Sequence, residues 1–246
     1  MPELILLFLA ACGTTLATGL GAIPVFLLGS RARALTPSLL AFAAGVMAVA
    51  AVLGLLVPAA DEGSPLALLA GVAIGVLFLV FAHRHLAPDA HFLGASGPDA
   101  RTSALVFLVL FVHSLPEGLA VGTAFASERA GLSLFVILAI AIQNIPEGTS
   151  VAIPMQEAGF GRGRQFWAAV ATSAPQPVGA VIAYLAIEEV SGLLPFSFAF
   201  AAGAMLALIL IELLPRAFAA GETVRPAAGL LLGALLMLAI SALIGV

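Results

Sequence analysis

The sequence predicts an all-α polytopic membrane protein with eight transmembrane helices. Of its 246 residues, 62% are hydrophobic and only 9% are charged, whereas a soluble globular domain is about half apolar and about a quarter charged. The apolar residues form long runs without the alternation that a membrane β-barrel requires. Many of the 25 glycines lie inside these runs, and small residues let helices approach closely in a bilayer. A water-soluble fold is therefore excluded.

Eight apolar runs of membrane-crossing length follow one another along the chain. One crossing needs about 20 predominantly apolar residues. We interpret the first run as a true span, because no basic residue precedes it as in a cleaved signal. The longest break, His83 to Ser103, is predicted to be a solvated loop. The predicted spans, taken as one transmembrane domain over residues 1–246, are 4–28, 36–58, 65–83, 102–126, 131–155, 165–187, 192–214 and 226–245.

The basic residues lie almost entirely on one side of the predicted bundle. The chain has nine Lys and Arg in total, all of them arginine, and eight fall in the breaks after spans 1, 3, 5 and 7. Only Arg129 falls on the opposite side. Because cytoplasmic loops are enriched in basic residues, we predict that the arginine-rich side is cytoplasmic and that both termini are extracytoplasmic. The opposite side is acidic, which either attracts cations to its entrance or merely reflects the lack of arginine.

One polar motif occurs twice, in spans 4 and 5. Span 4 contains His113-Ser114-Leu115-Pro116-Glu117-Gly118, and span 5 contains Gln143-Asn144-Ile145-Pro146-Glu147-Gly148. At 1.5 Å per residue, the first residue of each motif is about 16–18 Å into its helix, near the middle of the bilayer. The helical repeat places the first, second and fifth residues on one face. Each proline frees a backbone carbonyl, which is tolerated at this depth only beside a partner or a cavity.

The paired motifs have the composition of a metal site. Ionisable groups inside the membrane are functional candidates by default because an ionised carboxylate there is costly. Glu117 and Glu147 together neutralise a divalent cation, and the imidazole of His113 suits transition metals far better than Mg²⁺ or Ca²⁺. Zn²⁺ accepts this mixture of nitrogen and oxygen ligands. The alternative is that His113 and the amides only bridge helices through hydrogen bonds, which leaves the duplicated glutamates unexplained.

On these residues, the chain resembles the ZIP (Zrt-/Irt-like) metal transporters, and its Gln-first second motif resembles their bacterial GufA-like branch. The resemblance implies that a homodimer moves Zn²⁺, and also Fe²⁺, Mn²⁺ or Cd²⁺, towards the cytoplasm by alternating access. It implies two adjacent metal positions in a bundle of spans 2, 4, 5 and 7, which slides against a scaffold, with span 6 contributing at the second position. The primary ligands that it implies are His113, Glu117, Gln143, Glu147 and Met47 of span 2.

The second metal position departs from the pattern of that family. Ser114 stands where the family usually has Asn, and Asn144 where some members have Asp. Gln176 of span 6 stands where Glu is common. Only two anionic ligands, Glu117 and Glu147, remain for both positions, which is enough charge for one divalent ion. We therefore predict one main metal site, with the second position weak or empty.

Three other polar groups each have two interpretations. Glu212 of span 7 either handles metal near the inner exit, as the resemblance implies, or pairs with Arg216 one helical turn later. Asp61 and Glu62 either receive incoming metal or cap the end of span 2. A histidine tract after span 3 either passes metal on or is a solvated loop; it comprises His83, His85 and His91.

The sequence also bears on other functions. An enzyme is not expected, because no His-Glu-x-x-His motif occurs and no Gly-x-Ser-x-Gly motif lies within a span. A proton-linked small-solute carrier stays open because buried glutamates also relay protons, and a membrane metal sensor would share the same ligands. The expected partners are divalent metal ions, the lipid bilayer and a second copy of the chain, but no nucleic acid. The short loops favour the inner (plasma) membrane of a prokaryote.

Overall fold

A computed structural model describes residues 2–86, 98–127, 129–219 and 221–246. Within these ranges the regular structure is entirely helical, and eight helices are long and apolar enough to cross a membrane, which confirms the predicted fold class. The orientation of the termini stays a prediction. The eight helices are α1 (Pro2–Leu28), α2 (Arg31–Glu62), α3 (Pro65–His85), α4 (Val106–Ala126), α5 (Leu132–Glu157), α6 (Arg162–Glu189), α7 (Ser191–Phe218) and α8 (Val224–Ile244).

The loop predicted after span 3 is partly helical. Helical structure continues through His83 to Leu86, and it resumes at Pro98, ahead of the membrane-crossing part of α4. Proline is favoured at the first position of a helix, because its missing N–H has no partner there in any case. The predicted boundaries of this loop were therefore too wide at both ends. His91 lies outside the described residues.

Four helices depart from regular α geometry, and the first of them, α1, is interrupted at Gly21. α6 consists of Arg162–Thr172 and Pro175–Glu189, and it breaks where Pro175 and Pro177 cannot donate to carbonyls of the preceding turn. α2 contains a π-helical segment at Ala50–Leu56, and α7 contains one at Ile209–Leu213. Such wide turns are rare and frequently occur at functional sites. The segment in α7 includes Glu212.

Glycine brings the helices together in four pairs: α1 with α5, α4 with α6, α2 with α8, and α3 with α7. A Cβ atom at Gly148 of α5 would lie 1.8 Å from the carbonyl oxygen of Thr18 in α1. A Cβ atom at Gly118 of α4 would lie 2.2 Å from the carbonyl oxygen of Gln176 in α6. The two backbones therefore touch directly, as small residues permit within a membrane.

Four helices, α2, α4, α5 and α7, form the centre of the bundle. More than half of the most apolar stretch of each is buried, with 67% for α5 against 22% for both α3 and α8. α5 contacts α2 and α4, and α7 also contacts α2 and α4. The two motif-bearing helices are thus central, in the bundle of four that the resemblance implies.

Ion pairs tie the helix ends on both sides of the bundle. On the arginine-rich side, Arg33 Nη1 of α2 lies 2.8 Å from Glu157 Oε1 of α5. On the opposite side, Arg129 Nε lies 2.6 Å from Glu62 Oε1, and Arg129 Nη2 lies 3.1 Å from Asp61 Oδ2. Asp61 and Glu62 therefore both pair with the guanidinium of Arg129. Neither interpretation from the sequence includes this ion pair.

Candidate metal site

The two copies of the polar motif meet in the centre of the bundle. Gln143 Nε2 of α5 donates a hydrogen bond to Glu117 Oε1 of α4 over 2.6 Å. Both side chains are fully buried, and His113 and Glu147 are at most 3% exposed. The polar face that the helical repeat predicts on each helix therefore points at the other helix, away from lipid.

A third helix contributes to this cluster through Gln176, just after the break in α6. Gln176 Nε2 donates to Glu117 Oε2 over 2.6 Å, so both carboxylate oxygens of Glu117 accept a hydrogen bond from an amide. Gln176 also pairs with Asn144, since the two amides exchange hydrogen bonds of 3.2 and 3.3 Å. The structure thus brings Gln176 and Asn144 together beside Glu117.

A second cluster lies around Glu212 in the π-helical segment of α7. Glu212 Oε2 lies 3.6 Å from His113 Nε2 and 3.7 Å from His83 Nδ1 of α3. The three groups are close enough to bind one metal ion between them. Sequence reasoning did not join His83 to the motif histidine, although its position in a basic cluster at the end of an apolar span was a usable signal.

The other oxygen of Glu212 is occupied by a cation. Arg216 Nη1 donates to Glu212 Oε1 over 2.8 Å, which is the helical ion pair that the spacing of the two residues favours. Glu212 is 6% exposed, whereas the side chain of Arg216 is 34% exposed. Both interpretations of Glu212 therefore find a counterpart in the structure, one at each carboxylate oxygen.

Met47 and Ser114 make no hydrogen bond to another predicted ligand. Met47 is fully buried and packs in the main apolar core, where its thioether role stays a prediction. Ser114 is also buried, and its hydroxyl donates to the carbonyl oxygen of Leu110 in the preceding turn over 3.0 Å. A serine hydroxyl satisfied by its own helix in this way has its hydrogen committed locally.

Several metal-binding atoms in this region have no hydrogen-bond partner. Among the described residues, six buried side-chain nitrogen or oxygen atoms are unpartnered, and four belong to these two clusters: His113 Nδ1, Gln143 Oε1, Glu147 Oε1 and Glu212 Oε2. A buried polar atom without a partner costs about 1–3 kcal/mol. Three of the four are oxygens that can only accept, so a cation would satisfy them where another acceptor would not.

The charges of the site correspond to one divalent ion. The two clusters contain three buried carboxylates, those of Glu117, Glu147 and Glu212, and Glu212 pairs with the guanidinium of Arg216. When all four groups are ionised, three carboxylates and one guanidinium leave two negative charges. An isolated ionised carboxylate in an apolar interior is very costly, so a bound divalent cation would stabilise the ionised form of the cluster.

A cavity opens from this region on the arginine-rich side. It has a volume of about 270 Å³, and its lining includes Ser150 and Glu157 of α5 and Arg216 of α7. Ser150 donates to the backbone carbonyl oxygen of Glu147 over 2.7 Å, and Arg216 donates to the carboxylate of Glu212 over 2.8 Å. Two lining residues of the cavity therefore lie one helical turn from Glu147 and Glu212.

The chain is similar to several known zinc transporters. The ZIP zinc transporter family model matches residues 94–241. The zinc transporter GufA of Myxococcus xanthus is 35% identical over 242 residues, which cover 93% of this chain and 95% of the relative. The zinc transporter ZIPB of Bordetella bronchiseptica is 31% identical over 248 residues, with 93% and 78% covered. A putative zinc transporter of Arabidopsis thaliana is 36% identical over 209 residues, which are 82% of this chain but only 33% of that relative.

Proposed function

The chain belongs to the ZIP zinc transporter family, and from that premise we propose that it carries Zn²⁺ across the membrane through the buried clusters of α4, α5 and α7. The observation that carries this proposal is the set of four unpartnered metal-binding atoms beside carboxylates with two net negative charges. Fe²⁺, Mn²⁺ and Cd²⁺ are proposed as further substrates because they also accept mixed nitrogen and oxygen ligands. Saturable ⁶⁵Zn uptake by proteoliposomes that contain the full-length chain, and not by protein-free vesicles, tests the proposal.

We propose that the metal binds first at the motif pair. His113, Glu117, Gln143 and Glu147 would supply the ligands, with Met47 as a thioether ligand from α2. Gln143 has a free carbonyl oxygen for the metal while its amide nitrogen holds Glu117. Hydrogen bonds of this kind orient a carboxylate for binding.

The metal would then leave through the cluster of His83, His113 and Glu212. His113 belongs to both clusters, so a single ion passes from one to the other by exchanging its remaining ligands. The cavity beyond Arg216 gives this route an opening on the arginine-rich side, which the distribution of arginine predicts to be cytoplasmic. We propose transport towards the cytoplasm, with the metal passing the two clusters in this order.

Alternating access is proposed to move two groups of helices against each other. Glycine contacts and direct packing link α1, α4, α5 and α6 into one group and α2, α3, α7 and α8 into another. At the boundary between them, Gly54 of α2 faces the side chains of Phe135 and Val136, a softer contact than backbone against backbone. This division differs from the sliding four-helix bundle that the resemblance implies. We further propose that the protein functions as a homodimer in the inner membrane of a prokaryote.

One metal ion per protomer is the expected stoichiometry. The two clusters share His113, and the net charge balances only one divalent cation. Purified protein dialysed against Zn²⁺ and analysed for metal and protein content is expected to give a ratio near one. A ratio near two would show that both positions fill together and would contradict the single-site account.

Replacing Arg216 with glutamine is expected to slow release of metal to the arginine-rich side. Without the guanidinium, both oxygens of Glu212 are free for the metal, which would then bind more tightly in the exit cluster. We expect a maximal uptake rate about three- to tenfold lower, from about 1 kcal/mol of added binding, together with a lower KM. Arg225→Gln removes an exposed ion pair with Glu222 on the same side, outside the lining of the cavity, and serves as the control. Identical kinetics for both variants and the unaltered protein would refute this role.

A further inference from the structure

Three buried threonines of α1 lie against the break in α6. Thr15 Oγ1 is 3.1 Å from the carbonyl oxygen of Ser173, and the hydroxyl groups of Thr18 and Ser173 are 2.6 Å apart. Pro177 has no N–H to donate to the carbonyl of Ser173, which instead accepts from the N–H of Gln176 over 3.0 Å. The Thr15 hydroxyl also lies 2.9 Å from the carbonyl oxygen of Ala11 in its own helix. Hydroxyls of α1 thus contact α6 at the break, where it enters the site.

The remaining threonine, Thr14, holds the side chain of Gln176. Thr14 Oγ1 lies 2.8 Å from Gln176 Oε1 and 2.8 Å from the carbonyl oxygen of Ala11, so its single hydroxyl hydrogen is shared between these two acceptors. Asn144 Nδ2 donates to the carbonyl oxygen of Thr14 over 2.8 Å and to Gln176 Oε1 over 3.2 Å, so the backbone of Thr14 also positions the amide that faces Gln176. With its oxygen facing the Thr14 hydroxyl, the Gln176 amide presents its nitrogen to Glu117. The reverse orientation would place the amide oxygen against a carboxylate oxygen.

The amides at the second metal position differ from the amide of Gln143 in the motif pair. Gln143 Oε1 has no partner, whereas the oxygen and nitrogen of both Gln176 and Asn144 take part in hydrogen bonds within the protein. Gln176 directs an N–H donor at Glu117. This donor stabilises the carboxylate that a cation at the second metal position would otherwise neutralise.

We propose that Thr14 is a positioning residue that acts through Gln176 and sets the site to one metal ion. Thr14 fixes the amide orientation in which Gln176 stabilises Glu117, so that Glu117 needs no second cation. This inference rests on the proposed function, because it assumes that Glu117 belongs to the metal site. Its tests measure metal binding in detergent, so a protein that binds metal without transporting it would refute the function and leave this inference standing.

Replacing Gln176 with glutamate tests the inference by stoichiometry. Q176E removes the N–H donor and places a second carboxylate beside Glu117, which recreates a site for a cation. Equilibrium dialysis of the full-length protein against Zn²⁺ is expected to give one ion per protomer for the unaltered chain and two for Q176E. A ratio that stays at one in Q176E, or that is already two in the unaltered protein, would overturn the inference.

Thr14 itself is tested with an isosteric substitution. Thr14→Val removes the hydroxyl and is expected to weaken binding of the single Zn²⁺ about five- to tenfold, the effect of one lost hydrogen bond, and Thr14→Ser is expected to restore it. The matched control is Thr123→Val, because Thr123 is equally buried and bonds Ser197 through its hydroxyl, 2.6 Å away, outside the two metal-binding clusters. If Thr14→Val and Thr123→Val bind Zn²⁺ equally well, Thr14 has only a structural role.

Discussion

Replacing Glu147 with glutamine is expected to lower zinc uptake by about a hundredfold or more. Glu147 is 2% exposed, and one of its oxygens has no partner in the protein. The amide has nearly the same size and shape but lacks the charge, so one of the two net negative charges that match the metal is lost. Removing one partner of a buried charge interaction costs about 3 kcal/mol or more, which corresponds to about a hundredfold in binding.

The control for this substitution is Glu222→Gln. Glu222 is exposed and pairs with Arg225 on the surface, where an ion pair contributes little. Initial rates of ⁶⁵Zn uptake into proteoliposomes are measured for both variants at equal protein incorporation. Uptake by Glu147→Gln within a few-fold of the Glu222→Gln rate would show that Glu147 is not a ligand.

Replacing Gly148 with alanine is expected to disrupt packing of α1 against α5. The added Cβ atom would lie 1.8 Å from the carbonyl oxygen of Thr18, and a backbone atom cannot move aside as a side chain can. The two helices must separate, which would also strain the contact between Thr18 and Ser173. Overpacking of this kind costs about 3 kcal/mol at its upper end, so the melting temperature in detergent should fall by roughly 6–12 °C.

Gly13→Ala provides the comparison. Gly13 also lies within α1, but a Cβ atom there would meet nothing within 4 Å. The same substitution in a membrane helix should therefore leave the melting temperature unchanged, as monitored by the loss of monodisperse protein after heating. Equal melting temperatures for the two variants would mean that α1 and α5 are not packed through Gly148.

Much of the fold follows from the pattern of residues along the chain. Apolar runs of the right length predict eight spans, and the duplicated motifs predict that Glu117 and Glu147 lie at mid-membrane on polar helix faces. Both predictions depend on properties of a single helix, namely its length and its repeat. Contacts within one helix are set by spacing in sequence, so sequence reasoning reaches them.

The contacts between distant helices could not be predicted in the same way. Thr14 contacts Gln176 only because α1 packs beside the break in α6, and the sequence of neither segment indicates which helix it packs against. The prolines at 175 and 177 did signal the break itself, although the prediction treated span 6 as continuous. The structural role of Thr14 was missed because a threonine in an apolar span usually bonds to its own helix.

The second cluster illustrates a different limit. The π-helical segment that carries Glu212 lies in a run of Ile and Leu, and no residue in that run indicates a π-helix. Its wider turn nevertheless changes the direction of the side chains that follow. The approach of Glu212 to the two histidines therefore depended on a backbone feature that periodicity alone does not reveal, whereas its pairing with Arg216 follows from their spacing. His83 was assigned to a loop because the predicted helix ended there, whereas the structure continues it to Leu86.

The most direct test of the central claim is zinc uptake by the unaltered protein. The full-length chain is reconstituted into proteoliposomes, ⁶⁵Zn is added outside, and uptake is compared with that of protein-free vesicles. Competition with Fe²⁺, Mn²⁺ and Cd²⁺, and with Mg²⁺ and Ca²⁺ as ions that disfavour imidazole, defines selectivity. We expect saturable zinc uptake that transition metals inhibit and that Mg²⁺ and Ca²⁺ do not inhibit. Folded protein that binds zinc but moves none of these transition metals would contradict the proposed transport and indicate a metal sensor.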